Sequence, residues 1–150
     1  MASLGIRVHI NKRPSVAVVV LGGTRSSPVL IDSFALTTNE TSIVEQVHDL
    51  SSALGSLLDG LDQVDGVVIR RADVPVRASK AEGPKTRLLV EGGLIRVCRN
   101  RVVGTVCASA RDLAQTCGSN KADMDSQGEQ IIAGNKYLEA AAAAWSILDA

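Results

Sequence analysis

Val16 to Leu21, VAVVVL, is a run of six apolar residues followed at once by Gly22-Gly23. Such a run is too short for a buried helix, and closed by glycines it reads as a strand covered on both faces. Gly22-Gly23 marks a turn and Thr24 to Pro28 keeps the connection polar. Val29 to Leu36 resumes as a second strand, antiparallel because the connection is short. A strand buried on both sides needs helices above and below its sheet, so this run directs the chain toward an α/β architecture.

Composition agrees. Apolar residues are 45% of the 150, but aromatics are only 2%. Trp145, Tyr137 and Phe34 are the three. The core must therefore be Val, Leu, Ile and Ala, and the aromatic platforms that stack single-stranded bases are excluded. A chain of this length suits one domain and buries a core without staples.

Residues 1 to 15 are expected as an N-terminal arm or a short strand (GIRVHI), with Pro14 interrupting pairing. Asn39 or Thr41 is expected to cap a helix. Its stripe of Ile43, Val44, Val47, Leu50, Leu54, Leu57, Leu58 and Leu61 repeats at three and four residues. Val67 to Ile69 is a short buried strand ending at Arg70 and Arg71. Residues 72 to 85 are loop-like, with two prolines and a glycine. Thr86 to Arg99 reads as a helix despite Gly92-Gly93. Each interior glycine costs about 1 kcal/mol, so the pair points to a close helix–helix contact. Arg101 to Val106 is expected as a strand and Ala108 to Thr116 as a helix. A helical segment capped by Asp125 or Ser126 runs through Ile132, and Tyr137 to Leu148 closes the chain. Its Ala140 to Ala144 are small enough to lie flat on a sheet. The domain is placed at residues 16 to 150.

Net charge is zero, but its distribution is uneven. Asp32 to Asp65 holds seven acids and no Lys or Arg, whereas Arg70 to Arg101 holds nine bases and three acids. Cys98, Cys107 and Cys117 match no zinc-ligand spacing, and read as reduced thiols, Cys98 and Cys107 buried among apolar neighbours. No signal peptide or membrane-spanning run is visible, so a cytoplasmic location is expected. His48 beside Asp49 reads as a surface histidine, His9 has no Cys or Asp pattern around it, and no Gly-x-Ser-x-Gly or phosphate-loop motif is present.

The order of elements and the stretch VCASARDLAQTCGSNKADMDSQGEQII, Val106 to Ile132, resemble the ribonuclease H-like superfamily and its RuvC-type Holliday junction resolvase branch. Ala110-Arg111, Gln115-Thr116, Gly118 and Lys121 stand in matching places, and Arg87 to Asn100 is similar to the preceding family helix. The resemblance covers residues 16 to 148. It implies a mixed sheet beginning with an antiparallel hairpin, with helices on both faces. It also implies hydrolysis of a phosphodiester by two Mg²⁺ ions held by carboxylates. The family's carboxylates sit at the end of the first strand, at the end of the strand after the first helix, and twice on the final helix. With Val16 to Leu21 as first strand, those places fall at Leu21, Arg70, Glu139 and Ala142. One acid of four remains, and a guanidinium at Arg70 opposes a cation, so no metal and no cofactor are expected.

These residues imply a catalytically inactive RuvC-like domain, a pseudo-nuclease acting as a protein-interaction or nucleic-acid-binding module. The candidate contacts for DNA or RNA are Arg70, Arg71, Arg77, Lys80, Lys85 and Arg87. A homodimer through the Leu88 to Val97 helix is the further implication. The alternative is a metal-dependent nuclease with rearranged carboxylates, Glu139 with Asp32 or Asp73, using Mg²⁺.

Overall fold

The computed structural model describes residues 2–72 and 82–150. Its elements are β1 (Ala2–Ile10), β2 (Pro14–Thr24), β3 (Ser27–Leu36), α1 (Ile43–Gly60), β4 (Gly66–Arg71), α2 (Glu82–Arg101), β5 (Thr105–Ser109), α3 (Ala110–Thr116), α4 (Lys121–Ile131) and α5 (Asn135–Ser146). The sheet is five-stranded and mixed, in the order β3-β2-β1-β4-β5. β1 to β3 form an antiparallel meander, while β4 pairs parallel with β1 and β5 parallel with β4. The α/β class, the mixed sheet and the opening hairpin are as expected.

One strand precedes the expected first one. Ala2–Ile10 lies at the centre of the sheet, and the run Val16 to Leu21 belongs to the second strand. Pro14 does not interrupt pairing: it is the first residue of β2, opposite Ile10, where a strand tolerates it. Other boundaries differ from expectation as well: α2 begins at Glu82, inside the stretch expected as a loop, and α3 begins at Ala110 rather than Ala108. Ser42 caps α1, accepting from the Glu45 amide. The last strand begins at Thr105 rather than Arg101. Asn120 caps α4, and Asp125 lies inside that helix.

Alternation along β1 sorts its side chains onto two layers. Leu4, Ile6 and Val8 face α1 and α2, packing with Val18, Leu50, Leu54, Ile69, Val90, Leu94 and Cys98. Ser3, Gly5, Arg7 and His9 face α5, which runs antiparallel over the strand. Ser3 Oγ donates to the Ala144 carbonyl at 2.9 Å, and the Lys136 carbonyl accepts from His9 Nε2 at 3.0 Å. At Gly5 the helix comes so near that a Cβ would collide with the Ala140 carbonyl and the Ala144 amide. The alanine run permits this approach. Ala140, Ala141 and Ala144 pack on Ala17, Val19 and Leu21, while Ala142 and Ala143 join Val68, Leu113 and Met124.

The glycine pair in α2 divides. A Cβ at Gly93 would meet Ser51 Oγ and Val47 Cγ1 at 2.7 Å, so this glycine carries the close α1–α2 contact. Gly92 faces open space. Cys98 is buried as expected, but Cys107 is exposed. Burial pushes the Cys98 thiol up to about 12. Among the described residues no helix is long and apolar enough to cross a membrane.

Candidate anion site at the strand ends

The parallel pairing of β1 with β4 sets Ile6 beside Ile69, so the next residues, Arg7 and Arg70, are neighbours. Both follow a core-facing residue and therefore point to the opposite, α5 face. Arg7 Nη1 donates to the Arg70 carbonyl at 3.2 Å. Each guanidinium must find a carboxylate, because an unpaired charge in such a place is prohibitively costly. Arg7 Nε lies 2.5 Å from Glu139 Oε2, an ion pair by distance whose N–H does not align as a hydrogen bond. Arg70, with its side chain only 2% exposed, forks onto Asp125: Nη1 donates to Oδ1 at 2.6 Å and Nη2 to Oδ2 at 3.4 Å. Its Nη2 also stands 3.8 Å from Glu139 Oε1. Lys121, one turn before Asp125, approaches Oδ2 at 3.3 Å.

The charges perturb one another. Burial pushes the Arg7 guanidinium below its ordinary value; Glu139 opposes that, while Arg70 and Arg87 add to it. At Asp125 burial acts upward, but the hydrogen bond and charge of Arg70, with those of Lys121, outweigh it and hold the carboxyl below the usual range. Glu91, on α2, goes the other way. Burial raises it, against the opposing pull of the Ala72 amide and of Arg7, Arg87 and Arg71. The Ala72 amide gives only partial relief, since neither Glu91 oxygen completes a hydrogen bond among the described residues.

Arg7, Arg70, Arg71, Arg87, Lys121 and Glu139 line a cavity of about 230 Å³. Among the described residues, five cations thus face a single acid on its walls. Arg87 also lines an adjoining groove of about 700 Å³ with His9, Arg13, Asn135 and Lys136, and among the described residues no acid lines that groove. These side chains gather where β1 and β4 end and where α2, α4 and α5 begin. Helix N-termini and strand carboxyl ends favour anions at such a crevice.

The expected positions distribute unevenly over this site. Arg70 and Glu139 come together in it, with Arg71 and Arg87 on its walls. Leu21 does not: it pairs with Ser3, four residues along from the Ala17–Arg7 pair, and is buried under α5. Ala142 is fully buried between β4 and α4, its Cβ facing Gly128. Lys85 is exposed and pairs with Glu82 at 3.6 Å, outside the cavity. Asp32, proposed as a substitute ligand, sits on the edge strand β3 opposite Val20. Arg77, Lys80 and Asp73 lie outside the described residues. Arg7, Asp125 and Lys121 were missed; the signal for Arg7 was the alternation of GIRVHI, which sets Arg7 and His9 on one side.

No protein-family model matches the chain, and no curated protein matches it. Solved structures do. The RuvC structure of Thermus thermophilus superposes with a TM-score of 0.73 at 12% identity, over 97% of this chain and 92% of that one. RuvC of T. thermophilus in complex with a Holliday junction substrate gives 0.72 at 13% identity, over 97% and 91%. The yeast mitochondrial Holliday junction resolvase gives 0.55 at 12% identity, over 96% and 78%. The fold is thus the RuvC-like form of the ribonuclease H-like fold.

Proposed function

We propose that the protein is a catalytically inactive RuvC-like domain that binds nucleic acid at the basic strand-end surface. The observation that carries the reading is the Arg7–Arg70 pair. In the resembled family the ends of the first strand and of the strand after the first helix hold metal-binding carboxylates. Once β1 is counted as the first strand, those places fall at Arg7 and Arg70. The donors present do not fit a divalent ion. Asp125 is engaged by Arg70 and Lys121, and Glu139 by Arg7, so two guanidinium groups stand where hard cations need oxygen ligands. What is left is a concentration of arginine suited to phosphate. The RuvC-like fold, shared with a protein solved on a Holliday junction, adds to this reading.

The test is binding of fluorescent four-way junction, duplex and single-stranded DNA or RNA across a salt series. Affinity should fall steeply with salt, and Arg71→Glu and Arg87→Glu should each weaken every substrate alike. Undetectable binding at low salt overturns the reading. Cleavage with Mg²⁺ or Mn²⁺ that disappears in Glu139→Ala establishes the rearranged nuclease instead.

We also propose that α2 mediates self-association. Leu88, Leu89 and Ile95 are exposed on it, whereas Val97 packs against the core and is not part of that face. Light scattering should report a dimer that Leu88→Lys with Leu89→Glu converts to monomer. A monomeric unaltered protein rejects the interface.

A further inference from the structure

We infer that the cavity walled by Arg7, Arg70, Arg71, Arg87 and Lys121 takes one tetrahedral oxyanion, a phosphate group, and that Glu139 is its built-in competitor. Three observations converge. The cavity, about 230 Å³, is smaller than pockets that hold organic ligands of drug size, yet five of its lining residues are cationic. The Nε atoms of Arg70 and Arg87 are buried and make no hydrogen bond among the described residues, while that of Arg7 meets only Glu139. Buried donors in that condition call for an acceptor. The two nearby carboxylates are also held differently. Asp125 is gripped by the Arg70 fork and by Lys121, whereas Glu139 lies against Arg7, stands 3.8 Å from Arg70 and is 31% exposed.

The two acids therefore have separate roles. Asp125 is a positioning residue that orients Arg70. Glu139 fills the arginines' coordination until an anion with more oxygens arrives. Phosphate offers each guanidinium a forked pair of acceptors that a single carboxylate cannot share among three arginines. Glu139 then swings outward to water. The consequence is an affinity held down by the protein's own side chain. Replacing that side chain by its neutral isostere strengthens binding, the reverse of what a metal-ligand carboxylate would do.

The phosphate chemistry stands on the cavity alone, and only its source, a nucleic-acid backbone or end, rests on the function proposed above. The probes are inorganic phosphate by calorimetry, and a labelled oligonucleotide with and without a 5′-phosphate. Glu139→Gln should bind phosphate roughly two- to fivefold more tightly, the range of a part-exposed ion pair. Asp125→Asn and Arg87→Gln should bind it more weakly; Arg87 makes no ion pair among the described residues, so its replacement leaves the network intact and serves if the Glu139 variant folds poorly. Phosphate that displaces the oligonucleotide, with both tightened in Glu139→Gln, supports the inference with nucleic acid as source. Phosphate binding tightened by Glu139→Gln without any oligonucleotide binding keeps the site and removes the nucleic-acid reading. An oligonucleotide that binds but ignores both phosphate and Glu139→Gln overturns the inference and leaves that reading standing.

Discussion

Arg7 and Arg70 lie side by side on parallel strands, the guanidinium of the first donating to the carbonyl of the second at 3.2 Å. Two like charges held this close repel, and they persist because each has its own acid, Glu139 for Arg7 and Asp125 for Arg70. The parallel register of β1 and β4 dictates the pairing, so the relationship belongs to the backbone and not to a chance of side-chain rotation.

Removing one member of that network should be costly. Arg70→Met leaves Asp125 without its fork partner in a half-buried position, for an expected loss of about 2–4 kcal/mol. The double variant Arg70→Met with Asp125→Leu should recover part of the loss, because no charge is then left unpaired. Urea unfolding of the unaltered protein, the two single variants Arg70→Met and Asp125→Leu, and the double variant measures the coupling. A double variant no better than Arg70→Met rejects the account.

Divalent ions should do nothing for the unaltered protein. Its thermal midpoint is expected to be the same with and without Mg²⁺ or Mn²⁺, since Asp125 and Glu139 already hold cations. Arg7→Asp with Arg70→Glu gathers four carboxylates at one place, which should lower the midpoint without metal and restore it on adding Mn²⁺. A thermal-shift series reads both, and a metal-dependent rise in the unaltered protein contradicts the proposed replacement of metal by arginine.

The α5–β1 contact predicts a ranking of glycine substitutions. Gly5→Ala drives a methyl into the Ala140 carbonyl and Ala144 amide, which are backbone and cannot rotate away, so about 3 kcal/mol or more should be lost. Gly93→Ala meets only side-chain ends of Ser51 and Val47, and a cost near 1 kcal/mol should be offset in part by better helix propensity. Gly92→Ala meets nothing within 4 Å and should stabilise by roughly 0.5–1 kcal/mol. Denaturation midpoints in any other order contradict the packing.

These contrasts show where sequence patterns carried the fold and where they could not. The apolar runs of β2 and β3, the leucine stripe of α1 and the alanines of α5 have one-sided or continuous apolarity, and periodicity finds them. The central place of β1 was not legible, because its α5-facing side holds Ser3, Gly5, Arg7 and His9 and the strand does not read as apolar. That polarity serves the contacts with α5, Ser3 to Ala144, Arg7 to Glu139 and His9 to Lys136. Arg70 was legible from its place after an apolar strand. Its partner Asp125 was not, being 55 residues away and dependent on how α4 packs. The count of strands then mattered: with GIRVHI left as an arm or a short strand outside the domain, the first-strand position fell on Leu21, whereas β1 as the first strand puts Arg7 beside Arg70.

Glu91 gives the pH dependence. It is buried, its oxygens complete no hydrogen bond among the described residues, and burial raises it above the ordinary carboxylate range despite the pull of the Ala72 amide and of Arg7, Arg87 and Arg71. The folded state therefore binds its proton more tightly than the unfolded chain. The stability this contributes is present below the unfolded value and is lost as pH rises through the ordinary range toward the raised one. Glu91→Gln, which carries no such charge, should match the unaltered protein in acid and exceed it at neutral pH. Asp125 contributes in the opposite sense. Its carboxyl is held low, so its stabilisation is present above the ordinary range and fades as pH falls below it. Asp125→Asn should thus cost most at neutral pH and least in strong acid. Unfolding free energies of the three proteins, measured from acid to neutral pH, should converge at the acid end and fan out in opposite directions above it. Parallel curves would remove both carboxylates from the pH response.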